Sequence, residues 1–458
     1  MAAKRTTVST GPAKTASRNT GQAQGSTFLE SLQAAWTIPD LRRRITFNFY
    51  MFAVYVVGLH IPIPGINHSA LDAFFNKSGG TGGMLGLLNQ FSGGALKMFT
   101  VFAMGIIPYI NASIIMQLLT FAIPTWQELS REGESGRKII AQRTRYMTVG
   151  LAFMQAIGMT VLLTSQGVLP RSLAAIVPTV FSLVAGTSFL MWLGELITEK
   201  GIGNGVSLII FCSIMVRLPY QLSLVADQVK AGSVSPIQVL ILVGAFFGTV
   251  IGIVYMTLGQ RRVPIQHVRR VVGNKMTQGG TSYLPFRVNS AGVIPIIFAV
   301  SIQLLPLTIA QYMPATTPVG LFVHHLADWF SPGKNWLTAI GYAFIIIFFT
   351  YFWTAVMMDI PHIAQDLRKY GSFIPGIRQG KPTEEYLDRV MSRITFAGAV
   401  FLALVALLQY WVPELTNTTG SFTLVGGTSL LIVVGVALDT MQAIEAQLLM
   451  RNYEGFIR

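Results

Sequence analysis

Ten stretches of this chain are apolar almost without a break, and each approaches or exceeds the length needed to cross a bilayer as a helix. They lie near residues 45–61, 98–122, 146–166, 172–195, 204–219, 236–258, 291–313, 337–358, 394–412 and 424–447, against a requirement of roughly 20 residues. The run 204–219 is short, and Asp439 interrupts 424–447 near its end. Ahead of the first run, Phe28, Leu29, Leu32 and Trp36 recur at helical spacing. That pattern predicts a short amphipathic helix lying on the membrane surface, with Arg42, Arg43 and Arg44 anchoring the span that follows. One apolar stretch does not fit the scheme. Residues 78–98, SGGTGGMLGLLNQFSGGALKM, carry glycine at 79, 80, 82, 83, 86, 93 and 94. Glycine costs a helix interior roughly 1 kcal/mol relative to alanine. The apolar middle, Met84 to Phe91, makes about two helical turns, far too few to span. The expected fold class is an all-α polytopic membrane protein with about ten transmembrane helices.

Composition agrees with this reading. The chain is 52% hydrophobic and only 11% charged, with mean hydropathy +0.55, where soluble chains are about 25% charged. Its formal net charge is nevertheless +14, and the distribution of that charge sets the topology. With the N-terminus inside, every Lys and Arg except Lys77, Lys97, Arg171, Arg217, Lys230 and Lys334 falls on the same side. By the positive-inside rule both termini are then cytosolic. Two basic cytosolic loops, 259–290 and 359–393, exceed the rest, and loops of that length in a membrane domain are usually functional. Residues 1–27 are rich in Thr, Ser, Ala, Gly, Lys and Arg and lack the apolar core of a signal peptide. They hold too little apolar surface to fold, so a disordered cytosolic tail is expected. Its acid-free, hydroxyl-rich composition also fits an organelle transit peptide. Cys212 is the only cysteine, which excludes a disulfide within the chain and leaves a small buried hydrophobe.

Five spans precede residues 220–235 and five follow. An odd number of spans flips the second half, so two halves of five predict an inverted repeat. The organisation expected is a tail over 1–27, then an N-terminal half over 28–219 with the surface helix, the glycine-rich stretch and five spans. An external hinge loop over 220–235 leads to a C-terminal half over 236–458.

Catalytic signatures are missing. There is no nucleotide-binding G-x-x-x-x-G-K-[ST], no H-E-x-x-H and no C-x-x-C. GIGNG at 201–205 follows a membrane helix rather than a strand, so it reads as a tight turn between spans. A membrane enzyme would need a clustered nucleophile, base or metal ligand. An ion-coupled transporter built on an inverted repeat is the nearer rival, but it would keep a carboxylate near mid-span. Here Glu195, Arg217, Asp359 and Asp439 all fall at or near expected span ends. What the spans do carry is isoleucine four residues apart, Ile106 with Ile110 and Ile210 with Ile214, each pair on one helix face. Neutral polar side chains also recur at mid-depth: Asn111, Gln155, Ser301 and Gln303.

Several long segments, in order, resemble the SecY family of protein-conducting channel subunits. They are FSGGALKMFTVFAMGIIPYINASIIMQLL (91–119), EGESGRK (132–138), MWLGELITEKGIGNGVSLIIF (191–211), NSAGVIPIIFA (289–299), GSFIPGIRQGKPTEEYL (371–387) and GGTSLLIVVGVALDT (426–440). The resemblance runs from about residue 28 to the C-terminus. It implies a clamshell of two inverted five-helix halves and a channel that passes unfolded polypeptides and releases apolar helices sideways into lipid. By motif position it implies a constriction ring of Ile106, Ile110, Ile210, Ile214, Ile297 and Ile432. It implies a movable plug at Gly79, Gly82, Gly83, Met84, Leu85, Leu87, Leu88 and Gly94, and a lateral gate with Asn111, Gln155, Ser301 and Gln303. Partner docking falls to Arg261, Arg262, Arg269, Arg270, Lys275, Arg368, Lys369 and Arg378. The partners implied are SecE and SecG subunits, the SecA motor, the ribosome, signal peptides, nascent chains and the lipid bilayer, with YidC and SecDF beyond them. No cofactor, metal or catalytic residue is implied. The membrane implied is the bacterial inner (plasma) membrane, with the thylakoid membrane as the alternative.

Overall fold

A computed structural model describes residues 33, 35–77, 84–267, 270–272, 275–277, 280–289, 292–312, 317–329, 336–416 and 427–454. The tail 1–27, Gly79, Gly82, Gly83 and Arg269 lie outside these residues. The chain forms two compact units, residues 1–43 with 444–458, and residues 44–443. In the first, the described residues are largely helical.

Helices dominate the second unit and its continuations. In chain order they are α1 (Pro39–Gly58), α2 (His68–Lys77), α3 (Met84–Phe91), α4 (Ala95–Met98), α5 (Ile107–Ala122), α6 (Pro124–Arg131), α7 (Glu134–Ser165), α8 (Leu173–Lys200), α9 (Gly205–Lys230) and α10 (Pro236–Leu258). After an excursion into strands come α11 (Ile294–Tyr312), α12 (Pro318–Trp329), α13 (Trp336–Met357), α14 (Ile360–Lys369), α15 (Lys381–Thr416) and α16 (Gly427–Glu454). Among the described residues seven helices are long and apolar enough to cross a membrane, or eight if α5 and α6, bent by 105° at Ile123, count as one. The rest of the ten expected spans are helical too, but with shorter apolar runs. Arg42 to Arg44 occupy the start of α1, and α11 has 19 residues with Pro306 inside it.

Two expected boundaries are corrected. The second span begins at Ile107, not near 98. Residues 99–106 run in turns, and this segment pairs back on the end of α1. Ile63 N–H donates to the Phe99 carbonyl and Val101 N–H to the Ile61 carbonyl, both at 3.1 Å. Pro108 in the first turn, where its missing N–H costs nothing, fixes the helix start. The external loop placed at 220–235 is mostly helix. Pro219 reads as a stop, yet α9 runs through it to Lys230. The helix ends in a Schellman motif. Gly232 takes the left-handed φ of 70° and Ser233 N–H donates to the Gln228 carbonyl at 3.1 Å. The connection between the halves shrinks to residues 231–235.

The loop 259–290 is not plain coil either. It holds β1 (Gln260–His267), β2 (Arg270–Val272), β3 (Lys275–Thr277) and β4 (Thr281–Arg287), and β5 (Ser372–Phe373) comes from the second long loop. The strand order β4-β1-β5 makes an antiparallel sheet, with Val263 opposite Leu284 and His267 opposite Ser372. The spanning part remains all helix.

The largest apolar core draws on α1, α8, α9, α10, α11, α13, α15 and α16. A second core lies among α2, α4, α7 and α8, and a third, small one lies under the sheet.

Candidate functional site

The six isoleucines singled out by spacing and resemblance share one apolar core. Ile106, Ile210, Ile214 and Ile432 are buried in the largest apolar core, and Ile110 and Ile297 pack against it half-buried. Local structure explains each placement. Ile106 is the residue before α5, and Ile110 stands in its first turn. Ile297 stands in the first turn of α11. Asn204 caps α9 by accepting a hydrogen bond from Ser207 N–H at 3.2 Å. That cap fixes the start of the helix, and Ile210 and Ile214, four residues apart, share one buried face. The GIGNG sequence is thus the turn that starts α9. The six isoleucines come from four helices or their ends, α5, α9, α11 and α16, and all belong to or pack against this one apolar core.

The glycine-rich stretch ends against this cluster. Helix α3 packs on α9, and Leu88 and Phe91 touch the core. Of the expected plug residues, Met84, Leu85 and Leu87 lie in α3, Leu88 meets both the first and second cores, and Gly94 precedes α4 with φ 92°. A compact polar knot holds the base of the stretch. Asn89 accepts from Gly94 N–H at 2.8 Å through its carbonyl, and from Lys97 N–H at 2.9 Å through its side chain. Tyr55 on α1 reaches into this knot. Its hydroxyl lies 2.7 Å from Ser213 Oγ on α9 and 3.4 Å from the Ser92 carbonyl. Gly93, at φ 68°, makes the approach possible, since a Cβ there would sit 2.9 Å from the Tyr55 hydroxyl. Nothing periodic in the sequence points to Tyr55, and its partner is 158 residues away.

Helix α11 packs against α5 and α7, and also against α13. The seam is apolar and aromatic. Ile114 on α5, Phe298 on α11, and Phe349 and Trp353 on α13 form one cluster. Phe298 meets Trp353 edge-on at 5.1 Å and Phe349 at 6.2 Å. The expected polar gate residues are only partly brought together. Asn111 on α5 is buried, its Oδ1 without a hydrogen-bond partner. Gln155 on α7 is half-buried, and Ser301 is buried on α11. Gln303 departs from this group. It is turned about 140° around α11 from Phe298, at about 100° per residue, and lies beside Tyr410 of α15. The aromatic-rich run at 344–353, FIIIFFTYFW, is the signal that could have announced the aromatic seam.

The two long loops share one small platform. Val263 of β1 and Phe286 of β4 are buried with Ile360, Ile374, Leu387 and Met391 of the second loop region. His267 clips the loops together, one ring nitrogen 2.8 Å from Ser372 Oγ and the other 2.7 Å from Ser282 Oγ. Arg261, Arg262, Arg368, Lys369 and Arg378 are exposed on this platform. The turn that presents Arg378 is held by Thr383 Oγ1, which donates to the Arg378 carbonyl at 2.9 Å. Arg270 stands in β2 and Lys275 in β3, strands that pair in a separate hairpin.

Comparison with known proteins gives the class. A solved protein-conducting channel shares the fold, with TM-score 0.60 at 17% identity over 91% of this chain and 96% of that one. The channel in a canine ribosome–channel complex from the endoplasmic reticulum does so at TM-score 0.57 and 16% identity, over 91% and 96%. The fold is that of a polytopic membrane protein, shared with these solved channels. The SecY family model matches residues 100–441. The translocase subunit SecY of Streptomyces scabiei is 41% identical over 94% of this chain and 100% of its own, and that of Aquifex aeolicus is 42% identical over 94% and 99%. The chain belongs to the SecY family: it is a channel-forming subunit that conducts polypeptides, not an enzyme.

Proposed function

We propose that the six isoleucines form the constriction of the channel, that residues 79–94 form its plug, and that the seam between α5 or α7 and α11 is its lateral exit. Unfolded secretory chains pass the constriction, and apolar segments leave through the seam into lipid. An apolar constriction resists ions because it offers them nothing in exchange for their hydration shells. The observation that supports this reading is that Ile106, Ile110, Ile210, Ile214, Ile297 and Ile432, from four helices, all lie in or against one apolar core.

The platform of two loops takes the driving partner, a SecA-type motor or the ribosome, through Arg378 and its basic neighbours. SecE- and SecG-type subunits complete the complex, with YidC and SecDF as further contacts. Both termini face the cytosol, the side on which the basic loops lie. The membrane is the bacterial inner membrane, with the thylakoid as the alternative. In this scheme Asn111 and Ser301 line the exit, while Gln303 belongs to the interior of the C-terminal half.

Replacing Ile110 and Ile297 together by serine tests the constriction. Hydroxyls at both positions would wet it, and the resting channel should then leak ions in planar bilayers. Conductance equal to the parent would place the seal elsewhere.

A further inference from the structure

Helix α9 carries more than the two isoleucines on its inward stripe. Ile210, Ile214, Arg217 and Gln221 recur at i, i+4, i+7 and i+11, and all four are buried. That spacing is one face of a helix. Arg217, 7% exposed, therefore follows the isoleucines directly along the stripe. Its side chain runs along the turn between α3 and α4, with Nε, Cδ and Cγ within 3.6 to 3.8 Å of a Cβ built on Gly94. Its aromatic neighbour is Tyr220, over whose ring Lys97 Nζ stands at 6.0 Å. Among the described residues no carboxylate lies within ion-pair distance of it. Residues 78–98 contain no acidic side chain at all, so the plug cannot neutralise it. A buried cation without a counter-charge costs several kcal/mol, and methionine or leucine would fill the same volume without that cost.

We propose that Arg217 reads the charge of the polypeptide in transit. Once the plug, Gly94 included, has moved off Arg217, the guanidinium is uncovered just beyond the constriction. It takes the carboxylates of acidic stretches by charge-assisted hydrogen bonds and retards stretches rich in lysine and arginine. The proposal rests on the reading of Ile210 and Ile214 as constriction residues, and it makes Arg217 a specificity determinant for the chains this channel passes.

The test compares two precursors that differ only in a short insert, one rich in Asp and Glu, the other in Lys and Arg. Transport is measured in inverted membrane vesicles in which this chain is the sole channel subunit. Arg217→Gln should lower the acidic-to-basic rate ratio by about two- to fivefold, the factor a partly screened charge contact supplies, and Arg217→Lys should preserve the ratio. A purely structural arginine would slow both precursors alike, and an unchanged ratio in Arg217→Gln overturns the proposal. Should that variant fail to accumulate, the parent decides. Raising the salt concentration should shrink its preference between the two precursors, and a salt-independent ratio overturns the proposal equally. Failure of the constriction reading looks different: the Ile110→Ser, Ile297→Ser channel would not leak, whatever the precursor ratio.

Discussion

Removing one oxygen atom should loosen the plug. In Tyr55→Phe the ring stays, along with its stacking on Phe102 at 5.9 Å, and only the hydroxyl is lost. That hydroxyl has one proton to give. Ser213 Oγ already donates to the Ile209 carbonyl at 2.8 Å, so Tyr55 donates mainly to Ser213, at 2.7 Å, and weakly to the Ser92 carbonyl, at 3.4 Å. A buried hydrogen bond contributes about 0.5–1.5 kcal/mol net. Only the part lost when the base of the plug moves counts toward opening, so about 1 kcal/mol is an upper figure. That raises the displaced-to-resting ratio by up to about fivefold. Ser213→Ala supplies a control of opposite sense. Without its better acceptor, the Tyr55 proton turns wholly to Ser92, and the plug should be held as firmly as in the parent or more so. Single-channel recording in planar bilayers reads both as the fraction of time spent conducting. A closed fraction for Tyr55→Phe equal to the parent, or an increase in opening for Ser213→Ala, would refute the reasoning.

Three further outcomes follow from the same geometry. Arg378→Glu reverses an exposed charge at the proposed docking turn, where like charges facing a partner cost several kcal/mol; motor-driven precursor transport should collapse while the variant still enters the membrane, and normal rates in inverted vesicles would remove Arg378 from the docking surface. His267→Ala deletes the hydrogen bond to Ser372 that joins the two loops, and the one to Ser282 within the first loop, each worth about 0.5–1.5 kcal/mol; amide exchange at Ser372 and Phe373 should accelerate, and unchanged exchange would mean the clip adds nothing to strand pairing. Phe298→Ala empties the centre of the aromatic seam at a cost of at most about 3–5 kcal/mol; less apolar segments should then leave sideways into lipid, and an unchanged hydrophobicity threshold would place the exit at another seam.

The spans were legible because a run of apolar residues long enough to cross lipid has few other uses. Their ends were not. Pro219 looks like a stop, but a proline removes one backbone donor and a buried helix can absorb that loss, so α9 continues to Lys230. The platform strands hid for a different reason. β1 alternates Val263 and Ile265 inward, but Pro264 lies between them and arginines precede them, and its partner β5 is about a hundred residues on. The isoleucine pairs were visible as spacing, whereas their burial with Ile297 and Ile432 in one core drawn from four helices is a tertiary fact with no local signature. Gln303 was placed at the exit by its depth on the seventh span and by resemblance, neither of which fixes the face of α11 it takes. Arg217 was noted only as lying near a span end. Its burial, its position beyond Ile214 and the lack of a carboxylate beside it are all long-range properties.

The two surfaces that must part in this mechanism differ in chemistry, and the difference matches what each meets on opening. The seam of Ile114, Phe298, Phe349 and Trp353 opens toward lipid. Acyl chains can replace its apolar contacts, and with no hydrophobic driving force between helices in a bilayer the net cost is the mismatch in packing alone. Polar side chains paired across that seam would instead strand their partners in hydrocarbon. Asn111 fits this logic, since its buried Oδ1 makes no bond across the seam that opening would have to break. The knot of Tyr55, Asn89, Ser92 and Ser213 opens into the aqueous channel, where water satisfies every donor and acceptor it releases. Hydrogen bonds worth about 1 kcal/mol each hold such a surface closed yet release it reversibly. Exchanging the two chemistries should therefore fail on both sides. Tyr55→Phe with Ser213→Ala strips from the knot both hydroxyls that reach it from α1 and α9, and Phe298→Asn with Phe349→Asn makes the seam polar. The first pair should leave the plug unlatched in the resting channel, and the second should block release of apolar segments into lipid while sparing passage of secretory chains. If the second pair released membrane segments at the parent rate, the matching of each surface to its solvent would be wrong.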